Sequence, residues 1–413
     1  MATPSALRAL LLTKSKHAKL VICQTTRSMY LGKLFRTARL QSLNPEPLRW
    51  SSTSGSWSAR SRQMEEMVRE KHQHHGEGPP WSGAVLGALA FSFFQSTEED
   101  TRSEAQKSED EIIMLLKKAK LSMYRGQLPA ASGLLHQAVA LAHKSSNTQA
   151  IIYTYSLMAN LAYVQGQLDK SEKLFKATMS YMLSGGTPEN DNGIIEISLK
   201  LATIYAGQNK TELAEHGYRF CTESLEAKLE QHRDSSPDDQ SSTDQSETDQ
   251  SEGLRKETRL LLGLCLDSRA RYCAATRRLK QATQDYRRAL QICSEEQGET
   301  HPQTLVLMSD LATILDLQGL HAEALPVVRR AVALGRQAGH PDQHVLLGNL
   351  AGILLHQGDM QAALDLYKEA LSLARAAGDE EAVEQIQEGL MEVKKRREEQ
   401  LKETEEEEEV DLK

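Results

Sequence analysis

Apolar residues recur at three- and four-residue steps through most of the chain beyond residue 108, which is the periodicity of an amphipathic α-helix. The pattern is clearest from Val306 to Ala374, where one arrangement of apolar, small and turn residues appears twice. Its two copies are Leu311, Ala312, Leu315, Gly319, Ala324, Val328 and Ala331, and then Leu350, Ala351, Leu354, Gly358, Ala363, Tyr367 and Ala370. In each copy the glycine separates two helical stretches and supplies a turn residue that tolerates positive φ. The stretch therefore predicts two helix-turn-helix units in tandem.

The same spacing predicts six such units between residues 109 and 377. Every unit has a small residue in its first helix and another twelve positions later in its second helix: Ala119 and Ala131, Ala159 and Ser171, Ala202 and Ala214, Ala270 and Ala282, Ala312 and Ala324, and Ala351 and Ala363. The predicted units span residues 109–144, 147–183, 192–231, 253–295, 302–338 and 341–377. One helix pair cannot bury its apolar face alone, so neighbouring pairs must stack. We therefore predict an all-α solenoid of about six helix pairs.

Spacing and helix-start residues make these units resemble the tetratricopeptide repeat (TPR) family. Successive units are 39 to 43 residues apart except at one step of 68, against about 34 in the commonest TPR form. The segments Gly298–Pro302 and Gly339–Asp342 contain a His-Pro pair before a first helix and resemble the kinesin light chain variety of the repeat. Proline suits the first helical turn because it has no amide proton to lose there. The resemblance implies a scaffold that binds other polypeptides.

Polar segments interrupt and end the predicted array. Residues 232–252 are polar and acidic, contain no apolar residue to bury, and are predicted to be a disordered insertion. Such an insertion is either an inert loop or a loop for docking or phosphorylation. Residues 379–401 are predicted to form a capping helix with an apolar side toward the last pair, made of Val383, Ile386, Leu390 and Val393. Residues 402–413 are predicted to be an acidic, solvated tail.

The N-terminal region has the composition of a mitochondrial targeting segment. Residues 1–75 contain thirteen Lys or Arg against four Asp or Glu, although the whole chain has a net charge of −8. A basic, Ser-rich and acid-poor segment is typical of a mitochondrial presequence. We predict a presequence at 1–50, with cleavage near Tyr30 or near Trp50, and a linker at 51–80. A disordered arm that binds nucleic acid is the alternative interpretation of the same charge.

An uncharged segment follows this linker. Trp81–Phe94 contains no charged residue, and counting Pro79–Ser96 gives about 27 Å of helix, so we predict a short transmembrane helix at 81–96. The chain before this segment is cationic, and an acidic linker is predicted at 97–108 after it. The positive-inside rule then places the repeats in the intermembrane space. A buried core helix or a sorting signal would have the same apolar run.

The residues that carry catalysis or hold cofactors do not occur in the arrangements that those functions need. The sequence has no G-x-S-x-G, H-E-x-x-H or P-loop motif, and its five cysteines have neither C-x-x-C nor metal-ligand spacing. We therefore predict no enzyme activity, no cofactor, no metal and no small-molecule substrate. The acidic repeat region also argues against nucleic-acid binding, since phosphates attract cations.

A protein-binding groove is the remaining candidate site. Stacked helix pairs present their first helices along a concave surface, and a row of positions three before and one after the small residue lines it. The candidate residues in that row are Ser156, Asn160, Thr203, Asp267, Arg271, Ser309 and Thr313. Amide and hydroxyl groups can hold the backbone of an extended peptide, and the Arg271 guanidinium can bind a carboxylate.

Five longer blocks of the sequence carry a more specific resemblance. They are EIIMLLKKAKLS (111–122), YTYSLMANLAYVQGQL (153–168), LFKATMSYM (174–182), IIEISLKLATIYAGQN (194–209) and HPQTLVLMSDLATILDLQG (301–319). These blocks resemble one family of mitochondrial TPR proteins that serves respiratory complex III. The resemblance implies an inner-membrane protein required for assembly and maintenance of complex III, which acts after insertion of the Rieske iron–sulfur subunit and helps clear its fragments. The first hundred residues match this family in layout only, and the insertion at 232–252 departs from it. A cytosolic adaptor for cargo, chaperone or cell-division partners is the alternative function.

Overall fold

The computed structural model describes residues 103–234 and 245–411, and these residues form thirteen α-helices and no strand. The helices are α1 (Glu104–Tyr124), α2 (Leu128–Lys144), α3 (Thr148–Val164), α4 (Leu168–Ser184), α5 (Asn192–Gly207), α6 (Thr211–Asp234), α7 (Gln245–Ala275), α8 (Leu279–Gln297), α9 (Pro302–Leu317), α10 (His321–Ala338), α11 (Gln343–Gln357), α12 (Met360–Ala377) and α13 (Glu380–Asp411). Each helix packs against the next along the chain, as in a solenoid.

Small residues bring the two helices of each pair together. All twelve residues of the predicted small-residue ladder, from Ala119 in α1 to Ala363 in α12, have no exposed surface. At the Ser171 position the hydroxyl also donates a hydrogen bond of 2.8 Å to the Ala159 carbonyl, across the α3–α4 pair. The prediction of an all-α, TPR-like solenoid is therefore confirmed.

The turns inside the pairs need left-handed backbone, and glycine supplies it in four of the six. Gly126, Gly166, Gly319 and Gly358 all have positive φ, between 71° and 92°. The other two turns place Asn209 at φ 59° and Arg277 at φ 65°. Asparagine tolerates this region because its short polar side chain can bond locally, whereas arginine adopts it only where the surrounding helices impose it.

Side-chain caps set several helix starts. Ser103 and Gln106 form a reciprocal capping box at the start of α1, so residues 104–108 are helical and do not belong to the predicted acidic linker. The His-Pro pair begins α9 at Pro302, with the His301 imidazole accepting a hydrogen bond from the Gln303 amide. At the second His-Pro pair, α11 begins later, at Gln343.

The apolar core is divided unequally along the solenoid. One cluster runs without interruption from α5 to α13, whereas α1 to α3 and α3 to α5 are held by two smaller clusters. Helix α9 lies deepest, since every residue from Leu307 to Leu317 is buried. The C-terminal helix α13 closes the array by packing against α12 and α11, with Ile386 and Val393 buried.

The predicted disordered insertion and the predicted acidic tail are both partly helical. Helix α6 continues to Asp234 and α7 begins at Gln245, so part of the 232–252 insertion is helix, while residues 235–244 lie outside the described residues. Likewise α13 extends to Asp411 through most of the predicted 402–413 tail. Once a helix is nucleated by a packed segment, each added residue gains a hydrogen bond, and Glu, Gln and Ser do not stop it.

The predicted presequence at 1–50, the linker at 51–80 and the transmembrane helix at 81–96 lie outside the described residues. Within the part of the chain that the structure describes, none of the helices combines the length and apolar character that a bilayer crossing requires.

Candidate functional site

The predicted groove residues are divided between an accessible half and a closed half of the solenoid. Ser156 and Asn160 lie on α3 and Thr203 lies on α5, whereas Asp267 and Arg271 lie on α7 and Ser309 and Thr313 on α9. Asn160 and Thr203 keep part of their surface accessible, and the other five are buried. Only the row on α3 and α5 therefore remains available to a partner.

In the accessible half, short polar side chains are held by local bonds. Asn160 donates from Nδ2 to the Ser156 carbonyl at 3.0 Å. The Thr203 hydroxyl donates to the Leu199 carbonyl at 3.0 Å and accepts from the Tyr218 hydroxyl at 3.3 Å. These bonds fix both side chains in position before any partner arrives.

Glu196 extends this row by two turns of α5. Burial raises the pKa of its carboxyl group, and the nearby Lys200 ammonium opposes that shift. No hydrogen bond from the described residues reaches the carboxylate. A half-buried carboxylate without a donor favours a cationic or N–H group from a ligand. Glu196 was not among the predicted groove residues, because it lies neither three positions before nor one position after Ala202. A single acid within the mostly apolar segment Ile194–Leu201 could have indicated it from the sequence.

In the closed half, Arg271 is already bound by carboxylates of the protein. Its Nη2 lies 2.6 Å from an Asp267 oxygen and 3.8 Å from Asp310, and all three side chains are largely buried. Burial opposes the charge of Arg271, yet Asp267 and Asp310 together raise the pKa of its guanidinium. The expectation that Arg271 binds a partner's carboxylate is therefore corrected, because the folded chain supplies that carboxylate itself.

The same cluster holds one carboxyl group that resists ionisation. Burial raises the pKa of Asp310 to about 7, with Arg271 opposing the shift and Asp267 adding to it. Burial also raises the pKa of Asp267. One of the Asp310 oxygens and the Tyr286 hydroxyl are buried without a hydrogen-bond partner. One guanidinium therefore faces two buried carboxyl groups that compete for it.

Neighbouring first helices close the rest of the row. Asn349 on α11 donates to the Ser309 hydroxyl at 2.7 Å, and the Thr313 hydroxyl donates to the Ser309 carbonyl at 2.9 Å. Farther along α9, Asp316 accepts hydrogen bonds from His321 at 2.7 Å and His356 at 2.6 Å. Ser309 therefore joins α9 to α11, and Thr313 is buried and bonded within α9, so the predicted role of both residues in an open groove is corrected.

Metal ligands and reactive thiols are the other side-chain groups that could form a site. Among residues 103–234 and 245–411, no group of three or more His, Cys, Asp or Glu side chains could hold a metal ion. Cys221, Cys265, Cys273 and Cys293 are buried free thiols, as expected of small apolar residues in repeat positions. The cleavage candidates Tyr30 and Trp50 lie outside the described residues.

Solved structures resemble this chain in fold. The apo form of RapI aligns with a TM-score of 0.50 at 9% identity, over 85% of this chain and 77% of the other. The tetratricopeptide repeat sensor protein PH0952 of Pyrococcus horikoshii aligns with a TM-score of 0.50 at 12% identity, over 71% of this chain and 44% of that one. Identities this low support the helical repeat architecture alone.

Sequence comparisons identify the family. Tetratricopeptide repeat family models match residues 261–337 and 345–377. Tetratricopeptide repeat protein 19, mitochondrial, of Danio rerio is 60% identical over 89% of both chains. The protein of that name in Homo sapiens is 47% identical over 64% of this chain and 69% of its own. The chain therefore belongs to the family of mitochondrial tetratricopeptide repeat protein 19.

Proposed function

We propose that this chain is a non-enzymatic scaffold of the mitochondrial inner membrane that holds a segment of a partner polypeptide on α3 and α5. In this proposal the segment 81–96 tethers the chain and the repeats face the intermembrane space. The partner is a subunit of respiratory complex III. The chain supports assembly and maintenance of that complex, including clearance of fragments of the Rieske iron–sulfur subunit.

The binding proposal rests on a contrast between the two halves of the row of groove positions, which lies on the first helices of the pairs. In α7, α9 and α11 the polar residues of the row bond to one another and are buried. In α3 and α5, Asn160, Glu196 and Thr203 remain partly accessible. Polar groups that are accessible and fixed in position on the first helices of a repeat array suit an extended peptide.

Glu196 gives this groove a chemical preference. A carboxylate in a partly desolvated site gains more from a Lys, Arg or backbone N–H donor than an exposed one does, because water competes less. We therefore expect the bound segment to place a cationic side chain or a backbone amide against Glu196. Asn160 and Thr203 then bind the backbone on either side.

Site-specific photo-crosslinking in intact mitochondria tests this proposal. A photo-reactive residue at Asn160 or at Thr203 should crosslink to a complex III subunit or to a Rieske fragment. The same residue at the buried Thr313 is the matched control, since it occupies the equivalent position in the closed half. Glu196→Gln should reduce the crosslinks at positions 160 and 203.

Equal crosslinking at all three positions would contradict a groove restricted to α3 and α5. Absence of comigration with complex III in detergent extracts, together with normal complex III after deletion of the gene, would overturn the assignment of the partner.

Topology has its own test. Protease treatment of mitoplasts should digest the repeats if they face the intermembrane space, and protection of the repeats would reverse that orientation. Sequencing the N-terminus of the endogenous protein should show a start beyond residue 27, whereas an intact Met1 or Ala2 would favour a cytosolic adaptor.

A further inference from the structure

The first helix of the solenoid has an exposed face that no other described helix covers. Met114, Lys118 and Leu121 on α1 and its C-cap residue Arg125 follow one another at steps of four, three and four residues, so they share one side. Met114 is 48% exposed, Leu121 is 49% exposed and the adjacent Tyr124 is 89% exposed. Three large apolar side chains are therefore in solvent beside two cations.

The described residues do not neutralise the cations on this face. Neither Lys118 nor Arg125 has a carboxylate within ion-pairing distance in the part of the chain that the structure describes. From Ile112 to Leu168 the sequence contains no Asp or Glu but five Lys or Arg, in a chain whose net charge is −8. The carboxylates of α1 all lie before Ile112, so the positive potential belongs to its C-terminal half.

We propose that the C-terminal half of α1 together with its C-cap residue, Met114 to Arg125, lies on the surface of an anionic phospholipid bilayer. Apolar side chains enter the boundary between headgroups and acyl chains, while lysine and arginine bind the lipid phosphates. Met114, Leu121 and Tyr124 supply the first kind of contact, and Lys118 and Arg125 supply the second. The tyrosine ring suits this boundary because one end is apolar and the other is polar.

The length of chain before α1 favours a membrane as the occupant, in a step that rests on the proposed tether. The predicted tether ends at residue 96, seven residues before Ser103. Seven residues reach at most about 25 Å when fully extended. A tether at 81–96 therefore keeps α1 close to the lipid surface, where a weak contact is strengthened by its high local concentration. The accessible row on α3 and α5 would then be held near the membrane.

Depth-dependent quenching on the full-length chain tests the contact. A fluorescent label is attached at Leu121→Cys, in a background with Cys23→Ser, because the other four cysteines are buried. The matched control is a label at Leu213→Cys on α6, where Leu213 is 50% exposed. The protein is reconstituted with vesicles of phosphatidylcholine alone, or of phosphatidylcholine mixed with phosphatidylglycerol, that contain spin-labelled lipid.

We expect quenching at position 121 in the anionic vesicles, little quenching there in the neutral vesicles, and little at position 213 in either. Added salt should reduce the quenching, because the phosphate contacts are screened. Lys118→Glu with Arg125→Glu should reduce quenching at position 121 to the level seen at position 213. Lys394→Glu with Lys395→Glu, the same charge change on exposed residues of α13, should leave it unchanged.

A flotation assay with neutral vesicles distinguishes the proposed lipid contact of α1 from the proposed tether at 81–96. A chain that floats with neutral vesicles but shows no quenching at position 121 in anionic ones overturns the contact and leaves the tether. A chain that fails to float with neutral vesicles but shows quenching in anionic ones supports the contact without the tether. A label at position 121 that is already shielded from water without vesicles overturns the contact, since another part of the chain or a second copy then covers the face.

Discussion

Single methyl groups decide how closely the helices of a pair approach. At Gly217 on α6, an added Cβ would lie 2.8 Å from the Ala202 Cβ on α5. That atom is attached directly to the backbone, so relief would require the two helices to separate. Gly133 on α2 is a matched site, because nothing lies within 4 Å of a Cβ added there.

Gly217→Ala should therefore lower the free energy of unfolding by roughly 1–3 kcal/mol, as expected of overpacking. Gly133→Ala should instead raise it by about 0.5–1 kcal/mol, since alanine is the better helix former. Urea denaturation of the two variants measures both effects. Equal stabilisation by both changes would show that the α5–α6 crossing is looser than the structure has it.

The Asp310 carboxyl group makes stability depend on pH. In the folded chain its pKa is raised to about 7, whereas in the unfolded chain it ionises near its ordinary value of about 3.9. Its contribution is therefore fully present below pH 4 and is lost as pH rises through 7. Asp267, Tyr286 and Arg271 surround the group, and only Arg271 favours its charge.

Asp310→Asn removes the cost of ionising this group. The free energy of unfolding of the variant, minus that of the wild type, should increase by roughly 2–4 kcal/mol between pH 4 and pH 8. Asp365→Asn, at an exposed position on α12, is the control and should show no such increase. A difference that does not vary with pH would mean that Asp310 ionises normally in the folded chain.

At the scale of helices, one arginine ties three of them together. Arg269 on α7 binds Asp285 on α8 through two bonds of 2.8 and 2.7 Å, and donates to Thr222 on α6 at 3.1 Å. Its bond to Asp285 raises the pKa of the guanidinium. The Asp285 side chain is almost fully buried, so it depends on this partner.

Arg269→Met should lower the free energy of unfolding by about 3–5 kcal/mol, because it leaves a buried carboxylate without its cation. The double variant Arg269→Met with Asp285→Asn should recover a large part of that loss. Chemical denaturation of the single and double variants measures the coupling. A loss below about 1 kcal/mol in the single variant would place Arg269 among surface ion pairs of little consequence.

The helices could be predicted from sequence because their signals are local. Alanine spacing and turn glycines report on contacts within one pair, and these positions are buried as expected. Ser309 and Arg271 show where this reasoning fails. Whether their row is open depends on how closely successive first helices approach, which is set by distant contacts such as Asn349 to Ser309. A row of polar residues has the same spacing in either case.

At the scale of the whole molecule, the two ends of the solenoid differ in cohesion. The core from α5 to α13 is continuous, whereas α1 to α4 depend on two smaller clusters. Repeat proteins gain stability from neighbouring repeats, so segments with smaller shared cores open more readily.

Native-state hydrogen exchange should therefore show earlier exchange in α1 and α2 than in α9 and α11. The reason is that α9 is buried on all sides, whereas α1 has a neighbour on one side only among the described helices. Exchange is measured by mass spectrometry of peptides from each helix. Simultaneous exchange along the whole array would indicate a single cooperative unit instead.

The burial of α9 also determines how natural variants in this gene should be interpreted. A substitution between Leu307 and Leu317 cannot meet a ligand directly, so its damage arises through failed folding and removal by mitochondrial proteases. Substitutions in this helix should therefore lower the steady-state amount of protein, and that amount should recover when cells grow at reduced temperature. Substitutions at the partly exposed Asn160 or Glu196 should leave the amount normal and should not respond to temperature.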